Sequence, residues 1–565
     1  MSIIQIKSDN KIADINRHFK VTAGPGAGKT YWLINHIKNV LHNSDKLHKT
    51  GKIACITYTN IAVETILSRL GESSSNQVEV STIHSFLYKN IVKPYASFIA
   101  DEYNLNVAKM DGHDDVILSN YSSLDEWKNK TSQQRIRDNN AIIDAICRIR
   151  WKFENNQLII KPDYPAKIDG YSIKNSSYLE YKKILWGKGL LHHDDVLFFS
   201  FQIIQKYPFV AKILASKFPY VFIDEFQDSN PIQVEIVKFL VNSGSFIGVI
   251  GDVAQSIYEF QGANIKLFES FSVPKMVNYQ LSENRRSANE IIDILNYVRS
   301  DISQQKHRLA SYNKPTIIVG DKTTAYIKAV ERCKSEEVQS LSRQNITSNT
   351  MRHDVSGIIT DGKLFDKYRA EDSNYERCKF INSFIKAIAY ANGTKFSDAI
   401  KELDKLFRKE NDKLVQKRNS LDILTLLLAN YAKYQNNTLL YFINEMCIKI
   451  FPNLKIAKLK KGKAQIFCEE TTVKQMMLCV SIPDDLSLHK TIHKAKGDEF
   501  DNVFLILTEE KHLEFLTNPA LLENEEHRIN YVAISRARNR LFINVPTLSM
   551  DNQAILNDKF DILNV

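Results

Sequence analysis

The sequence contains no run of eighteen uninterrupted apolar residues, and its first twenty residues are rich in polar and charged side chains. A transmembrane helix needs about twenty mainly apolar residues, and a secretory leader needs an apolar core, so we expect neither. The seven cysteines are scattered with no C-x-x-C pair. This pattern disfavours a zinc or iron–sulfur site and suits a reducing cytoplasm. The sequence therefore predicts a cytoplasmic protein without contact to a membrane.

Size and charge set wider limits on the protein. A length of 565 residues favours three or four domains, each with its own core. The apolar content of 44% is ordinary for a globular chain. The net charge of +10 permits a polyanionic partner such as nucleic acid, although many proteins of this size carry a similar charge without one.

Strand and helix patterns alternate in two parts of the chain, which predicts parallel sheets with crossover helices. In the first part, Ile61–Leu70 is predicted as a helix between two strands. The strands predicted in this part are Ile53–Thr57, Val78–Thr82, Tyr220–Asp224 and Phe246–Ile250. We expect a second α/β unit to begin near residue 275, with strands at Thr316–Val319, Val503–Leu507 and Leu541–Asn544.

A glycine-rich segment near the N-terminus follows a short apolar run and opens a helix. It consists of Ala23, Gly24, Pro25, Gly26, Ala27, Gly28, Lys29 and Thr30. Glycines let backbone N–H groups approach phosphates, Lys29 can reach the β- and γ-phosphates, and the Thr30 hydroxyl can bind Mg²⁺. The strict pattern begins with glycine rather than Ala23, and the alternative is a simple glycine-rich turn. The Lys-Thr pair in the correct place favours ATP binding.

A buried strand, Tyr220–Ile223, ends in the carboxylates of Asp224 and Glu225. Carboxylates at the carboxyl end of a parallel strand lie where ligands bind in α/β proteins. We expect Asp224 to hold Mg²⁺ and Glu225 to orient or deprotonate the attacking water. An acidic loop is the alternative for this segment alone, but its pairing with the P-loop favours ATP hydrolysis.

Eight segments in the same order resemble the motifs of superfamily 1A helicases, the Rep, PcrA and UvrD type. They run from residue 21 to 544, with two gaps where that family carries helical insertions. Besides the two phosphate-handling segments, they begin at Thr57 (TYTNIA), Ser81 (STIHSF), Gly251 (GDVAQSIYEFQGA), Asn284 (NRRS), Thr491 (TIHKAKGDEF) and Glu525 (EEHRINYVAISRA).

The resemblance implies roles at the nucleotide. Gln255 would sense the γ-phosphate, and Arg286 and Arg536 would act as arginine fingers supplied by the second α/β unit. Glu499 would accept a hydrogen bond from the ribose. Arg285 stands where the family has a tyrosine that stacks on adenine, and a guanidinium can also stack on a purine.

The resemblance also implies a track for single-stranded DNA. Tyr258 and Phe260 would be platforms on which bases stack, although core packing is an alternative that suits Tyr258 better. The other residues implied as DNA contacts are Tyr58, Asn60, His84, His493 and Lys496.

We therefore expect an α/β fold of two RecA-like parallel-sheet domains with ATP between them, each carrying a mainly helical insertion. The expected bounds are 1–90 and 190–274 for domain 1A, 91–189 for insertion 1B, 275–354 and 471–565 for domain 2A, and 355–470 for insertion 2B. Because the chain stops soon after the last motif, we expect no C-terminal nuclease domain. A lysine run at 455–463 could track duplex DNA or could be a solvated face.

Two functions remain open at this point. The first is an ATP- and Mg²⁺-dependent translocase and helicase on single-stranded DNA and duplex junctions, with 3′ to 5′ polarity implied by the family. The second is an ATPase and DNA-sensing subunit that regulates a partner nuclease. Compact members of the family occur beside an OLD/TOPRIM-type nuclease in bacterial anti-phage systems of the Gabija type.

Overall fold

The computed structural model describes residues 3–71, 76–114, 117–118, 123–154, 157–163, 167–259, 262–334, 336–352, 362–407, 412–482 and 487–565. By its internal contacts the chain divides into two compact units. The first comprises Met1–Tyr312 and Asn518–Ser535, and the second comprises Asn313–Thr517 and Arg536–Val565. Both units contain a parallel β-sheet, which confirms the predicted fold class.

The first unit is built on a parallel sheet that has seven strands in the described part of the chain. In spatial order they are Ile3–Ile6, Val277–Leu281, Phe19–Ala23, Phe246–Gly251, Tyr220–Ile223, Ile53–Thr57 and Val78–Thr82. The neighbouring strands Tyr220–Ile223 and Ile53–Thr57 are buried at every position. Such continuous apolar runs are typical of parallel strands covered by helices on both faces. The four strands predicted for this sheet are confirmed.

Helices cover this sheet and complete the unit. The α-helices are Lys29–Asn43, Asn60–Leu70, Ile83–Leu87, Lys93–Tyr95, Ala100–Tyr103, Leu124–Thr131, Asn139–Cys147, Asn175–Gly187, His193–Lys206, Pro208–Lys217, Pro231–Asn242, Ile265–Ser270, Asn289–Val298 and Glu525–Ile534. Shorter 3₁₀ or π turns are Tyr88–Val92, Ala96–Phe98, Val107–Lys109, Phe226–Asp228 and Val253–Gln255.

The region predicted as the first insertion contains strands as well as helices. Ile149–Glu154 pairs antiparallel with Gln157–Pro162, and Lys167–Ile168 pairs with Tyr171–Ser172. The sequence analysis did not anticipate this hairpin. Trp151 and Phe153 alternate with Arg150 and Lys152 in its first strand, which is the period-two pattern of a half-buried strand.

The start expected for the second α/β unit, near residue 275, is wrong. Val277–Leu281 pairs in parallel with Phe19–Ala23 and with Ile3–Ile6, so it belongs to the first sheet. The first unit continues to Tyr312 and also takes in Asn518–Ser535. Strand patterns in a sequence do not specify which sheet a strand joins, because the partner is chosen by tertiary packing.

The second unit is built on a parallel sheet with six strands among the described residues. In spatial order they are His489–Thr491, Val338–Ser342, Phe500–Ile506, Ala537–Val545, Thr316–Val319 and Asp561–Asn564. The three strands predicted here are confirmed, two of them with longer bounds. A separate two-stranded parallel ladder in the first unit joins Glu283–Asn284 to Gln305–Lys306.

The rest of the second unit is helical. Its α-helices are Lys322–Arg332, Asn345–Arg352, Leu364–Glu371, Tyr375–Asn392, Phe396–Asp404, Lys413–Ala429, Tyr431–Tyr434, Leu439–Tyr441, Ile448–Ile450, Lys463–Glu470, Val473–Leu478, Glu514–Thr517 and Met550–Leu556. The 3₁₀ or π turns are Lys405–Phe407, Phe442–Cys447, Pro452–Leu454 and Glu510–Leu513.

The helices between Leu364 and Leu478 share an apolar core that includes Phe384, Leu427 and Phe442. This agrees with the helical character predicted for the second insertion. The five lysines between 455 and 463 are all exposed. Among the described residues, no helix is both long and apolar enough to cross a membrane.

A buried carboxylate joins the helix His193–Lys206 to the region of the first insertion. Asp195 has no exposed side-chain surface, and it accepts hydrogen bonds from Lys182 Nζ at 2.7 Å and Trp186 Nε1 at 2.9 Å. It also accepts from Trp151 Nε1 at 3.3 Å and from the backbone N–H of His192 at 3.0 Å. The ammonium of Lys182 is likewise buried, so each charge depends on the other for its compensation.

We expect Asp195→Ala to lower the free energy of unfolding by about 3–5 kcal/mol, because it leaves a buried ammonium and two indole N–H groups without their acceptor. Urea unfolding followed by circular dichroism measures this. The matched control is Glu235→Ala, which breaks a 2.7 Å ion pair with Lys238 that is exposed on both sides and should change stability by less than about 1 kcal/mol. Equal losses of unfolding free energy in the two variants would contradict the structural importance of the buried Asp195 carboxylate.

Candidate functional site

Six neighbouring strands of the first sheet lead, at their carboxyl ends, into the segments that contain predicted site residues. Phe19–Ala23 leads into the P-loop, Phe246–Gly251 into Asp252, and Tyr220–Ile223 into Asp224. The remaining three lead into Asn284, Tyr58 and His84. The carboxyl ends of parallel strands meet at one edge of the sheet, which is where α/β proteins bind ligands. The topology thus gathers segments that lie far apart in the sequence.

The P-loop requires glycine at two positions with left-handed backbone. Gly26 has φ 70° and Gly28 has φ 78°, and Gly28 is the N-cap of the helix Lys29–Asn43. A Cβ on Gly26 would lie 2.5 Å from Asn284 Oδ1 and 2.8 Å from Arg286 Cβ. Both backbone conformation and space therefore exclude a larger residue, and the loop packs directly against the segment of the predicted finger.

Lys29 provides a cation suited to a triphosphate. Its side chain is only 10% exposed, and Nζ lies 3.6 Å from Glu225 Oε1. Among the described residues Nζ has no hydrogen-bond partner. A buried ammonium with unused donors at a helix N-terminus fits an anionic ligand. Thr30 follows in the first turn of the helix, which contains no acidic residue.

The carboxylates of Asp224 and Glu225 occupy the places expected for them. Asp224 is buried, and its backbone N–H donates to Ile56 O at 2.8 Å. Glu225 adopts φ 57°, and its N–H donates to Asp224 Oδ1 at 3.0 Å. Glu225 lies near Lys29, and the carboxylate oxygens of Asp224 are of the type that a hard cation such as Mg²⁺ prefers.

Gln227 links Glu225 to the third motif, a role that the sequence analysis did not assign. Its Nε2 donates to Glu225 Oε2, and its Oε1 accepts from the Asp252 backbone N–H at 3.0 Å. Asp252 in turn accepts a hydrogen bond from Gln255 Nε2. Gln255, the predicted γ-phosphate sensor, is 3% exposed. Glu225 and Gln255, predicted to orient the attacking water and to sense the γ-phosphate, are therefore linked by one chain of hydrogen bonds.

Arg299 completes this chain and was missed from the sequence because it lies in no recognised motif. It forms an ion pair with Asp252 at 2.7 Å, and both side chains are fully buried. Burial opposes the charge of a guanidinium, but the carboxylate of Asp252 keeps the pKa of Arg299 above its usual value. The Arg299 guanidinium also lies 5.9 Å from the centre of the Tyr531 ring.

Arg286 belongs to the first unit, which corrects the expectation that both fingers come from the second. Asn284 Oδ1 accepts from the backbone N–H groups of Arg286 at 2.9 Å and Ser287 at 3.0 Å. The Arg286 guanidinium donates to Ser535 O at 2.9 Å. The residue follows a strand that pairs in the first sheet, so its backbone is carried by that sheet.

Arg285 lies beside the P-loop, with its backbone N–H donating to Gly26 O at 2.9 Å. Its guanidinium is held by two carboxylates, Asp9 at 2.7 Å and Glu283 at 2.9 Å. The hydrogen bond to Asp9 raises the pKa of Arg285. Upstream of the P-loop, Gln5 Nε2 donates a hydrogen bond to Gln280 Oε1 on the neighbouring strand at 2.6 Å.

Arg536 and Glu499 lie in the second unit. Arg536 is 2% exposed; its carbonyl accepts from Phe500 N at 3.0 Å and its guanidinium donates to Asp498 O at 3.5 Å. Glu499 is exposed and lines a cavity of about 440 Å³ together with Asp501. Arg536, at the end of the sixth-motif segment, is therefore a neighbour of the fifth-motif segment within this unit.

Two of the predicted DNA contacts of the first unit line one cavity, and a third stacks on one of them. Tyr58 and Tyr258 stack with ring centroids 4.6 Å apart and planes 26° from parallel. Tyr58 and His84 line a cavity of about 270 Å³. Burial, helped by the neighbouring His193 and His113, lowers the pKa of His84 to about 3, so it is neutral at pH 7.

The remaining DNA candidates are spread more widely. Asn60 is exposed at the start of the helix Asn60–Leu70. In the second unit, His493 is half-buried and the side chain of Lys496 is mostly buried, in the turn before Gly497. Phe260 lies outside the described residues. Tyr258 is 8% exposed, so it packs in the core while one face meets Tyr58.

Two family models match this chain. Residues 5–276 match the UvrD/REP helicase N-terminal domain, and residues 363–547 match the UvrD-like helicase C-terminal domain. The chain belongs to the UvrD/Rep helicase family. The expected resemblance and the assignment to ATP-dependent DNA helicases are thereby confirmed.

Known members of the family align with this helicase over nearly its whole length. The Gabija protein GajB of Bacillus cereus is 24% identical, with 92% of this chain and 91% of the relative covered. The ATP-dependent DNA helicase Rep of Buchnera aphidicola is 25% identical over 95% of this chain and 91% of its own. The ATP-dependent DNA helicase PcrA of Staphylococcus epidermidis is 25% identical over 94% and 81%.

We expect Lys29→Ala to reduce ATP hydrolysis by this helicase to background, because it removes the cation that faces the β- and γ-phosphates. Phosphate release measures turnover, and anisotropy of a labelled oligonucleotide measures DNA binding, which should be retained. The matched control is Lys38→Ala, an exposed lysine of the same helix. Turnover retained in Lys29→Ala would contradict the P-loop assignment.

We expect Arg536→Ala to lower kcat for ATP by about 10³-fold or more while changing KM far less, as for the loss of an arginine finger. Steady-state hydrolysis over a range of ATP concentrations separates the two constants. Arg538→Ala is the matched control, because Arg538 is an exposed arginine two residues along the chain. If Arg536→Ala changed only KM for ATP, the result would contradict the predicted role of Arg536 as an arginine finger.

Proposed function

We propose that this helicase is a motor that moves along single-stranded DNA from 3′ to 5′ and opens duplex junctions with the free energy of ATP hydrolysis. The single observation that carries the proposal is the edge of the first sheet, where Lys29 faces Glu225 and the stacked Tyr58 and Tyr258 follow from strand ends of the same sheet. The residues proposed for phosphate chemistry and those proposed for base stacking therefore both follow strands of the first sheet.

The roles proposed at the nucleotide follow the chemistry of each group. The P-loop backbone and Lys29 bind the phosphates, and the hard oxygen ligands of Thr30 and Asp224 suit Mg²⁺, which supplies charge neutralisation when bound. Glu225 orients the attacking water. The positive charge needed on the γ-phosphate oxygens comes from Arg286 and Arg536, Gln255 senses that phosphate, and Glu499 accepts from the ribose.

At the nucleobase this chain departs from the pattern of its family. Arg285 replaces the usual tyrosine, and its guanidinium is engaged by Asp9 and Glu283. The planar face of the guanidinium remains suitable for stacking on a purine, since ion pairing uses its edge. We propose that Arg285 contacts the base in this way.

In the first unit, the residue proposed to sense the γ-phosphate is close in sequence to a residue proposed to stack on DNA bases. Gln255 precedes Tyr258 by three residues. Burial, with the negative charges of Asp228 and Glu225 added to it, raises the pKa of Tyr258. We propose that this ring links the γ-phosphate to the strand, because it follows Gln255 closely in the chain and stacks on Tyr58. The other proposed strand contacts are Asn60, His84, Phe260, His493 and Lys496.

A second candidate function is favoured by one comparison. A relative that aligns with nine tenths of this chain is a Gabija protein. We propose as the alternative that the ATPase and DNA binding of this helicase control a partner nuclease of the OLD/TOPRIM type in an anti-phage complex, with unwinding secondary.

The deciding experiment measures ATP hydrolysis by the purified chain with and without single-stranded DNA, and then strand displacement. Duplexes with a 3′ tail and with a 5′ tail are compared, and Lys29→Ala is the control for contaminating activity. DNA-stimulated hydrolysis with displacement of the 3′-tailed duplex only supports the motor. Displacement from the 5′ tail overturns the polarity. Stimulation without displacement favours the regulatory subunit, and copurification with a nuclease would then support it.

A further inference from the structure

Gln304 lies outside the segments that resemble helicase motifs, yet its side chain contacts three of them. It sits between the helix Asn289–Val298 and the short strand Gln305–Lys306, and it is 4% exposed. Its backbone is fixed on both sides by Asn296, whose Oδ1 accepts from Gln304 N at 2.8 Å and whose Nδ2 donates to Gln304 O at 3.0 Å. A residue held this firmly presents its side chain in one direction.

The aliphatic stem of Gln304 packs on the P-loop. A Cβ added to Gly24 would lie 3.3 Å from both Cγ and Cδ of Gln304. The stem therefore fills the space beside Gly24 that a side chain at that position would need. A larger residue at the first P-loop glycine would require the Gln304 side chain to shift.

The amide of Gln304 joins the finger segment to the sixth-motif helix. Its Oε1 accepts from Asn284 Nδ2 at 2.7 Å, and its Nε2 donates to Tyr531 Oη at 3.1 Å. The orientation of both amides is determined by the backbone. Asn284 Oδ1 accepts from two N–H groups, those of Arg286 and Ser287, so its Nδ2 must face Gln304.

The Tyr531 ring continues the connection to the sensor. Tyr531 is fully buried, and burial raises its pKa to about 12, so it stays protonated. Arg299 lies against its ring and is paired with Asp252, which accepts from Gln255. A continuous buried path thus runs from Gln255 through Gln304 to the backbone of Arg286.

We propose that Gln304 is a positioning residue that sets the alignment of Arg286 with the P-loop and so controls turnover without touching the nucleotide. The inference rests on the finger role proposed above for Arg286. Loss of the Gln304 amide releases the side chain of Asn284, which then no longer holds the two backbone N–H groups of the finger segment in one place. Misplacement of about 1 Å at a reacting group can cost on the order of 10²-fold in rate.

The test is Gln304→Met in the full-length chain, which keeps the stem on Gly24 but removes the amide. We expect kcat with saturating single-stranded DNA to fall at least about tenfold while KM for ATP stays within about threefold, the pattern for an interaction made in the transition state. The matched control is Asn90→Leu. Asn90 is a comparably buried amide with hydrogen bonds to Glu79, Phe86 and Lys217 and without contact to the path, so kcat should be retained.

A second variant and a double variant separate positioning from a loss of folding. Tyr531→Phe keeps the ring against Arg299 but removes the acceptor of Gln304, and it should lower kcat in the same direction. In an Arg286→Ala background, Gln304→Met should reduce kcat by less than about twofold further, because the two residues act as a unit. The proposal is overturned if kcat of the double variant falls by the product of the two single-variant losses. It is also overturned if kcat of Gln304→Met stays within threefold of wild type.

The failure of the finger role gives a different result from the failure of the positioning role. Unchanged turnover in Arg286→Ala alone overturns the proposed finger and with it the positioning of that finger. A large loss in Arg286→Ala with none in Gln304→Met overturns the positioning role only.

Discussion

Asp252 and Arg299 form an ion pair in which neither side chain reaches solvent, and the arrangement around the nucleotide site depends on it. Removing one partner of such a pair leaves an uncompensated buried charge and typically costs about 3–5 kcal/mol. A pair of this kind contributes little net stability compared with apolar packing. In this structure the Asp252 carboxylate binds both the Arg299 guanidinium and Gln255 Nε2, so the pair holds a neighbouring side chain in place. This arrangement orients Gln255, Gln227 and, through Tyr531, the segment that contains Arg286.

A second buried carboxylate of the first unit, Asp195, also connects distant elements through an ion pair and hydrogen bonds. This carboxylate collects the ammonium of Lys182 and the indole N–H groups of Trp151 and Trp186, all from the region between the two halves of the sheet. Both buried carboxylates connect elements far apart in the sequence. Two buried ion pairs therefore fix elements of this unit: Asp252 with Arg299 near the proposed nucleotide site, and Asp195 with Lys182 at the first insertion. Apolar packing supplies most of the stability.

The parts of the structure that could be predicted were those with local signals. Strands such as Ile53–Thr57 and Val78–Thr82 are short apolar runs bounded by turn residues, and they were found with the bounds predicted. The P-loop and the carboxylates after Tyr220–Ile223 follow a spacing that phosphate chemistry imposes. The expectation that the second α/β unit begins near residue 275 did not foresee that Val277–Leu281 joins the first sheet, because sequence patterns do not specify which sheet a strand joins. Arg299 and Gln304 could not be found, since their importance comes from contacts with residues that lie far away in the sequence, such as Tyr531 and Gly24.

The sequence by itself determined the chemistry of this helicase: which side chains can bind phosphate, which carboxylates end a buried strand, and which family the motifs resemble. Only the tertiary structure decided how these groups are held. It placed Arg286 on the first unit, engaged Arg285 with Asp9 and Glu283, and brought Gln304 between the P-loop and Tyr531. The physical reason is that reactive groups must be of a particular type at a particular spacing, whereas buried hydrogen bonds are satisfied by any partner that the fold brings within reach.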